Sequence, residues 1–246
     1  MRSYAVITDI HGNYPALATV LKEIAKLSVD QIFCLGDMIG IGPYSNEVLE
    51  TVFSLDNITI ITGNHDEAVY ALVNNQPYPV SHLKEKEHHR WIADQLSVEH
   101  AHHLSKLPRW ASIENSSIHL VHFHLQKQKE YAHISENPYT STGKAYPVPE
   151  IDMKKIFQDY TNHALVLFGH VHDTYQFSIG QTLFFNPGSL GCNHQPYARF
   201  GLVKINDQNV QADFQAVWYD KDEYVRSIQA IQYPDYQLIL QIFFGV

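Results

Sequence analysis

Cysteine and basic residues are scarce in this sequence, and both shortages narrow what the protein can be. Only Cys34 and Cys192 occur among 246 residues. They stand in unrelated contexts without a paired framework, so the sequence predicts a reducing compartment and no disulfide scaffold. Lys and Arg total 17 against 26 Asp and Glu, a formal net charge of −9 at pH 7. Because there is no Lys/Arg-rich run, binding to polymeric nucleic acid or to an anionic membrane is not expected.

Long apolar runs are also missing. Nothing approaches the roughly 20 consecutive apolar residues of a membrane span, and the apolar run at residues 4–7 is shorter than that of a signal peptide. We therefore expect a soluble, cytoplasmic protein. There is no internal repeat, and 246 residues with 45% hydrophobic content predict a single domain over 1–246.

Short β-branched apolar runs alternate with amphipathic stretches, which is typical of an α/β fold. In the first quarter of the chain, strands are predicted at 4–8, 31–35 and 58–62, with helices through 17–24 and 46–53. The charged, His-rich segment that follows, 67–107, shows little sign of strands. It is expected to form a small helical cap or insertion.

The second half of the chain is rich in predicted strands. These lie at 117–124, 165–168, 175–179, 182–185, 200–205 and 210–217. Residues 130–149 contain three prolines and predict a long surface loop. The C-terminal segment, 219–246, predicts a helix with an apolar end, which must be buried either across the sheet or against the second subunit of a homodimer.

Polar motifs begin where two of the early strands end. Asp9 and His11 follow the first strand, and Asp37, flanked by glycines that let the backbone bend, follows the second. Each motif has an ordinary alternative. An Asp and a His near each other commonly form a hydrogen-bonded pair, and an Asp beside glycines commonly makes a turn or a helix cap.

Two further motifs repeat this placement. Asn64, His65 and Asp66 stand consecutively after the third strand, although Asn and Asp also favour turns. His170 and His172 follow the strand at 165–168. If that segment stays extended, alternation puts both imidazoles on one side, as chelation of a metal requires.

Taken together, the four motifs favour one site over four unrelated turns. Open α/β sheets place their ligand sites outside the carboxyl ends of strands, and all four motifs carry metal-competent side chains there. As a set and in this order, from Asp9 to Asn186–Ser189, the motifs resemble those of the calcineurin-like metallophosphoesterases, in particular small prokaryotic phosphodiesterases and phosphatases. The resemblance implies an α/β/β/α sandwich of four layers with metals between the loops of its two sheets.

The resemblance also implies two metal sites that share one carboxylate. One divalent cation would be bound by Asp9, His11, Asp37 and His172, and the other by Asp37, Asn64, His122 and His170. Mixed carboxylate, amide and imidazole ligands suit Mn, Fe or Zn, and the sequence does not choose among them. Bound cations dominate the local field, so the negative net charge does not exclude a phosphate substrate.

His122 is assigned by its place at the end of the strand 117–124. The family has a Gly after this His, whereas Phe123 stands here, and two other histidines compete for the role. By alternation, His124 shares the strand face of His122 and is a candidate for substrate contact. His119 is expected to point the other way and pack.

The expected chemistry is hydrolysis of a phosphate ester by a hydroxide held between two cations about 3.5–4 Å apart. His65 is the motif imidazole without a metal, and the resemblance implies that it faces the leaving oxygen. Asp66 is a candidate to orient His65, or alternatively a helix-start residue. The segment Asn186–Ser189 resembles the closing loop of the family. No Gly-x-Ser-x-Gly motif supports serine hydrolase chemistry.

The leading hypothesis is a phosphodiesterase or phosphatase for a small, nucleotide-like substrate. The alternatives are a non-catalytic metal-binding scaffold, which the full ligand set argues against, and a nuclease, which needs a basic groove. Arg90 and Arg109 are candidates for binding a second phosphate or a carboxylate. A solvated helical face, and no extra metal site, is predicted for the remaining histidines, His82, His88, His89, His100, His102 and His103.

Overall fold

The structure is a computed structural model that describes residues 1–113, 117–136, 148–206 and 209–246, and within these ranges ten strands form two five-stranded sheets. In spatial order, the first sheet consists of β10 (Asn209–Trp218), β9 (Tyr197–Asn206), β1 (Arg2–Ile7), β2 (Gln31–Cys34) and β3 (Ile58–Ile60). The second consists of β4 (Trp110–Ile113), β5 (Ile118–Val121), β6 (Leu165–Leu167), β8 (Thr182–Asn186) and β7 (Tyr175–Ile179).

Both sheets are mixed, with a parallel centre. Strands β1, β2 and β3 are parallel, as are β5, β6 and β8, while β9, β10, β4 and β7 pair antiparallel with their neighbours. The predicted strands are confirmed, most with ends shifted by one to three residues. Only β4 was not predicted, because its four residues alternate between exposed and half-buried positions and carry no apolar run.

Eight helices accompany the sheets in the described ranges. They are α1 (Tyr14–Ile24), α2 (Ser45–Phe53), α3 (Asn64–Val73), α4 (Lys86–Ala93), α5 (Val98–Leu104), α6 (Glu150–Ile156), α7 (Lys221–Ile231) and α8 (Tyr236–Ile239). Short 3-10 turns occur at Val80–Glu85, Ile134–Glu136 and Gln158–Tyr160, and a π-helical turn spans Leu240–Phe244. None of these helices combines the length and the apolar character that a membrane span requires.

Alternation along β1 shows how the layers are built. Tyr4 and Val6 point into the core between the two sheets, where Leu120 and Leu167 of the second sheet meet them. Ala5 and Ile7 point to the opposite face, which α1, α2 and α7 cover. On the outer face of the second sheet, α6 packs against β6 and β8. The predicted four-layer α/β/β/α sandwich is confirmed; that residues 1–246 form one domain stays a prediction.

The segment 67–107 is helical, as predicted, but its histidines are not all on a solvated face. Buried side chains of α3, α4 and α5 belong to the same core cluster as α1 and α2. His82, His88 and His89 are buried, so the predicted solvated face is wrong for them. The prediction fits His100, His102 and His103, which are half-buried or exposed. Of the predicted loop at 130–149, residues 137–147 lie outside the described part.

Candidate metal centre

The side chains predicted to bind metal stand on loops at one edge of the sandwich. Each loop follows a parallel strand: β1 precedes Asp9 and His11, β2 precedes Asp37, β3 precedes Asn64 and His65, β5 precedes His122, and β6 precedes His170 and His172. Parallel strands end at the same edge of a sheet, so the two sheets present their loops to a common point. Five of these side chains, Asp9, His11, Asp37, Asn64 and His122, are at most 2% exposed.

The backbone at these positions is unusual. Asp9, His11, Asp37, His170 and His172 all have φ between 51° and 71°, a left-handed conformation that L-residues rarely adopt and that is concentrated at functional sites. Hydrogen bonds between the loops hold it, since the amides of Asp9 and His11 donate to the carbonyls of Gly36 and Asp37 at 3.1 and 3.0 Å. The left-handed turns direct side chains of successive loops toward one another.

The segment 169–172 differs from its prediction. The segment was expected to be extended, but β6 ends at Leu167, and the backbone of both His170 and His172 is in the left-handed conformation. Alternation along a strand is therefore the wrong explanation for their placement. Both imidazoles reach the site, and they do so in separate groups.

The first group contains Asp9, His11 and His172. The Nε2 atoms of the two imidazoles are 2.9 Å apart, and the Oδ1 atom of Asp9 lies 3.7 Å from Nε2 of His11 and 3.5 Å from Nε2 of His172. The carbonyl oxygen of Ile39, 3.2 Å from Nδ1 of His11, can only accept a hydrogen bond. Nε2 of the neutral imidazole therefore keeps its lone pair for a cation.

The second group contains Asn64, His122 and His170. Nδ1 of His122 donates to the carbonyl of Leu35 at 2.7 Å, which leaves Nε2 as the ligand atom in the neutral ring. Oδ1 of Asn64 lies 2.9 Å from Nε2 of His122 and 2.8 Å from Nδ1 of His170. Donor atoms of both imidazoles and the amide thus converge without any cation.

Asp37 lies between the two groups. Its Oδ2 atom is 3.1 Å from Nε2 of His122 and 3.8 Å from Nε2 of His11. Potential ligand atoms of Asp37, His122 and His170 lie within 4.8 Å of one another, and so do those of Asp9, His11 and Asp37. The structure therefore brings all seven predicted ligands together in the predicted grouping; their role as ligands stays a prediction.

Burial and neighbouring charges act in opposite directions on the pKa values of this cluster. Burial raises the pKa of Asp37, but His122 and the other imidazoles outweigh it and hold that pKa well below the usual value. Burial lowers the pKa of His122, yet the carboxylate of Asp37 raises it to about 10. For His170 and His172 burial prevails and lowers the pKa to about 4. The last two imidazoles are therefore neutral at pH 7, which is the form that binds a metal.

His65 stands beside these groups and lines the adjoining cavity. Its backbone N–H donates to Oδ1 of Asp37 at 2.8 Å. Its ring Nδ1 is 2.9 Å from Nε2 of His89, whose Nδ1 is in turn 2.8 Å from the hydroxyl of Tyr78. Burial holds the pKa of His65 well below its usual value. The ring of His65 is therefore held in place by His89, which is itself held by Tyr78.

Asp66 has a different set of partners. Its carboxylate accepts hydrogen bonds from the backbone amides of Gly63, Met38 and Ile39 at 3.0, 3.0 and 3.2 Å. It thereby ties the loop that carries Asp37 to the loop that carries His65. An orienting role of Asp66 stays a prediction, and on this geometry it would act through the backbone.

Several residues near the centre were not predicted from the sequence. Cys192 lies with His11 and His172 in a third group of potential ligand atoms within 4.8 Å. Nε2 of His82 is 3.1 Å from the amide nitrogen of Asn64. Cys192 comes three residues after the predicted closing loop, and that proximity was the available signal. Nothing in the local pattern marked His82.

The histidines beside His122 both pack. His119 stacks on Trp110 and His163, as predicted. His124 contacts the rings of Phe157 and Tyr160 and is not among the residues that line the cavity described below, so its contact with substrate stays a prediction that this geometry does not support. The physical reason is that β5 ends at Val121, after which strand alternation no longer applies.

A cavity of about 640 Å³ opens next to the centre. Its walls are formed by His65, His170, His172, Asp173, Cys192, Asn193, His194, Arg199, Ile242 and Phe243. The closing loop supports this site, because Ser189 Oγ donates to the carbonyl of Asp9 at 2.7 Å and Asn186 Nδ2 donates to that of Gly169 at 3.0 Å.

The two arginines singled out in the sequence lie elsewhere. Arg109 forms an ion pair with Glu67 of this chain. Arg90 donates to the carbonyl of Leu72 at 3.2 Å. Arg199, which the sequence did not single out, is the cation that lines the cavity among the described residues.

Comparisons with known proteins agree with this architecture. A family model described as a calcineurin-like phosphoesterase superfamily domain matches residues 2–208. Two solved structures share the fold. A protein from Pyrococcus horikoshii has a TM-score of 0.77 and 20% identity, and the match covers 100% of this chain and 99% of that chain. A metallophosphoesterase from Sphaerobacter thermophilus has a TM-score of 0.71 and 22% identity, and the match covers 99% of this chain and 100% of that chain.

Sequence relatives match over shorter stretches. A symmetrical bis(5′-nucleosyl)-tetraphosphatase from Ectopseudomonas mendocina is 29% identical over 147 residues, which is 59% of this chain and 48% of that protein. The first curated relatives are matched over 26% and 27% of their own length. The chain thus spans about half or less of the curated relatives it matches.

Proposed function

Since the chain belongs to the calcineurin-like phosphoesterase superfamily, we propose that it is a dinuclear-metal enzyme that hydrolyses a phosphate mono- or diester of a small, nucleotide-like molecule. The observation that carries the proposal is the pair of ligand groups that share Asp37. A structural ion pair needs one carboxylate and one imidazole. Here two carboxylates, one amide and four imidazoles converge, a donor set that suits two divalent cations.

The cations would be Mn, Fe or Zn. One would be bound by Asp9, His11, Asp37 and His172, and the other by Asp37, Asn64, His122 and His170. Two divalent cations at such a site supply Lewis acidity, which lowers the pKa of a water and neutralises the charge on phosphate oxygens. The protein's part is to hold the ligands in place, which the left-handed backbone and the loop-to-loop hydrogen bonds accomplish.

His65 is the group of this chain that we assign to the leaving oxygen. It lines the cavity beside the ligand groups, and its Nδ1 atom is engaged by His89. Nε2 has no hydrogen-bond partner among the described residues and is therefore the nitrogen that can reach substrate. There the N–H of the neutral imidazole would donate a hydrogen bond as negative charge develops on the leaving oxygen.

The proposal of a nucleotide-like substrate has two supports. The name of the Ectopseudomonas mendocina relative specifies hydrolysis of a bis(5′-nucleosyl) tetraphosphate. In addition, the cavity of about 640 Å³ is within the range of small-molecule sites and far exceeds the volume of a phosphate group. A polymeric nucleic acid is not proposed, because the net charge of −9 opposes it.

The experiment is hydrolysis of p-nitrophenyl phosphate and bis(p-nitrophenyl) phosphate by metal-stripped protein, with and without Mn²⁺. Asp37→Asn should reduce the Mn²⁺-dependent rate at least about 1,000-fold, and His65→Ala should reduce it about 100-fold or more. Asp56→Asn, an exposed turn position, is the matched control and should match the wild type. Metal binding without turnover of any phosphate ester would instead support the non-catalytic scaffold.

A further inference from the structure

Part of the cavity wall is built by the C-terminal turn. Ile242 and Phe243 belong to the π-helical turn Leu240–Phe244, outside the range 2–208 that the family model matches. The ring of Phe243 is half-buried and lies 5.7 Å, centroid to centroid, from that of His172. An aromatic face is thus held next to a predicted metal ligand.

Polar contacts fix this turn in place. The buried ammonium group of Lys221 donates to the carbonyls of His194 and Phe244, the latter at 2.8 Å. Nε2 of His194 lies 2.9 Å from the carbonyl of Ile242, and because a carbonyl only accepts, the imidazole donates. The turn is therefore locked to the loop after the closing segment and is not a loose terminus.

Arg199 supplies the positive charge on the same cavity. Its side chain packs closely over Gly188, with the arginine Cδ atom 3.0 Å from the position that a Cβ atom would occupy there. Its Nη1 atom donates to the carbonyl of His172 at 3.3 Å. Among the described residues no carboxylate oxygen lies within 4.0 Å of the guanidinium, and the nearest acidic side chain on the cavity wall is that of Asp173. A fixed guanidinium with free donors is suited to bind phosphate.

We propose that Arg199 and Phe243 form a subsite for a nucleoside 5′-oligophosphate. The scissile phosphate would lie at the ligand groups, the adjacent phosphate on Arg199, and the base against the ring of Phe243. Both residues touch His172, so the three positions are contiguous, as the parts of such a substrate are. The placement rests on the proposed phosphoesterase function and extends it from phosphate esters to the phosphoanhydride bond of a nucleoside 5′-oligophosphate.

The reaction needs no co-reactant besides water. The oxygen of one water molecule forms a bond to the scissile phosphorus, and the phosphoanhydride P–O bond breaks with its electron pair remaining on the bridging oxygen, which departs with the leaving phosphate. One proton of that water stays on the new phosphate hydroxyl, and the other is released to the medium or to the leaving group. Recognition of the neighbouring phosphate by Arg199 would set the position of the bond that breaks.

Three substrates separate the two parts of the subsite: bis(p-nitrophenyl) phosphate, inorganic tripolyphosphate and ATP, each at fixed free Mn²⁺. Arg199→Met keeps the aliphatic stem and removes the charge. It should lower kcat/KM for tripolyphosphate and ATP about 10- to 100-fold, because a charge-assisted hydrogen bond is lost. Because bis(p-nitrophenyl) phosphate lacks a second phosphate, the ratio of kcat/KM for tripolyphosphate to that for bis(p-nitrophenyl) phosphate should fall at least about fivefold. Arg226→Met on the exposed face of α7 is the matched control.

Phe243→Leu keeps an apolar side chain and removes the ring. It should lower kcat/KM for ATP about fivefold or more, since base stacking on an aromatic ring is lost. Tripolyphosphate has no base, so the ratio of kcat/KM for ATP to that for tripolyphosphate should fall by the same factor. Phe243→Tyr retains the ring and should restore the rate with ATP. An equal loss with all three substrates, in either variant, would overturn the subsite.

Failure of the subsite and failure of the enzyme are distinguishable. Metal-dependent turnover of bis(p-nitrophenyl) phosphate without any turnover of ATP or tripolyphosphate would refute the subsite and leave the phosphoesterase intact. If no substrate is hydrolysed, calorimetric binding of ATP against adenosine to the Asp37→Asn protein decides. Binding of ATP that Arg199→Met weakens at least tenfold supports the subsite without catalysis, and equal binding of ATP and adenosine overturns it.

Discussion

The ion pair between Arg109 and Glu67 supports the site from outside, and its removal has a calculable cost. Glu67 lies in the first turn of α3, two residues after His65. Its carboxylate accepts hydrogen bonds from Arg109 Nη2 at 3.0 Å and from the amide of Ile134 at 3.1 Å. Arg109 is 26% and Glu67 16% exposed. Arg109→Met should therefore leave a largely buried carboxylate with one backbone donor.

Breaking a fully buried pair costs about 3–5 kcal/mol, and the partial exposure of both partners reduces this to about 2–3 kcal/mol. For a chain of this length, 1 kcal/mol corresponds to about 2–4 °C in Tm, so we expect a loss of about 5–10 °C. The assay is thermal and urea unfolding of the metal-free protein, because bound metal would add its own stabilisation. Arg226→Met again serves as control.

The pH dependence has a definite sign. Burial raises the pKa of Glu67 even with Arg109 present, and removing Arg109 should raise it further. A carboxyl whose pKa is raised in the folded state destabilises that state above this pKa, and protonation relieves the effect as pH falls through it. The deficit of Arg109→Met should therefore be larger at pH 7.5 than at pH 5, and Glu67→Gln should recover part of it. A deficit below about 0.5 kcal/mol, or one independent of pH, would refute this reasoning.

Three further predictions concern the centre itself. Because the pKa of His122 is about 10 in the metal-free protein, metal binding at pH 7 should release about one proton. Calorimetry in buffers of different ionisation enthalpy measures the number of protons released, and the same number in the His122→Gln protein would contradict the prediction. His89→Leu should reduce kcat about tenfold with little change in metal content, since the substitution frees the ring of His65. His88→Leu, at the buried neighbouring position, should leave kcat unchanged, and an equal loss of kcat in both variants would argue for general destabilisation. Gly63→Ala should abolish binding of at least one metal, because the added Cβ clashes with the shared carboxylate; elemental analysis that finds two metals would disprove it.

The layers of the fold could be predicted because their signals are local. Apolar runs of four to six residues followed by Gly or Asp indicate buried parallel strands. The ends of these strands predict the edge of the sheets at which the predicted metal ligands lie. The backbone of the ligand loops could not be predicted. Positive φ at Asp9 and His11 is held by hydrogen bonds from their amides to the carbonyls of Gly36 and Asp37 in another loop, which no local pattern encodes.

The residues around the ligands were harder to predict for the same reason. His89 was interpreted as part of a solvated face because its helix is rich in charged residues, yet α4 packs its other side against α3 and buries the imidazole behind His65. Arg199 and Phe243 are brought to the cavity by a strand and a C-terminal turn that are more than 40 residues apart in sequence. Periodicity indicates which face of an element is buried, but not which other element covers it.

The electrostatics of the cluster explain why the metal-free centre can fold at all. Asp9 and Asp37 are buried together, and two uncompensated carboxylates would strongly oppose burial. Their pKa values are nevertheless held below the usual range, because the surrounding imidazoles, His122 above all for Asp37 and His11 for Asp9, outweigh burial. A proton on His122 therefore compensates part of the negative charge of the two carboxylates. A divalent cation that replaced this proton would leave both carboxylates with the negative charge that they carry in the protonated cluster.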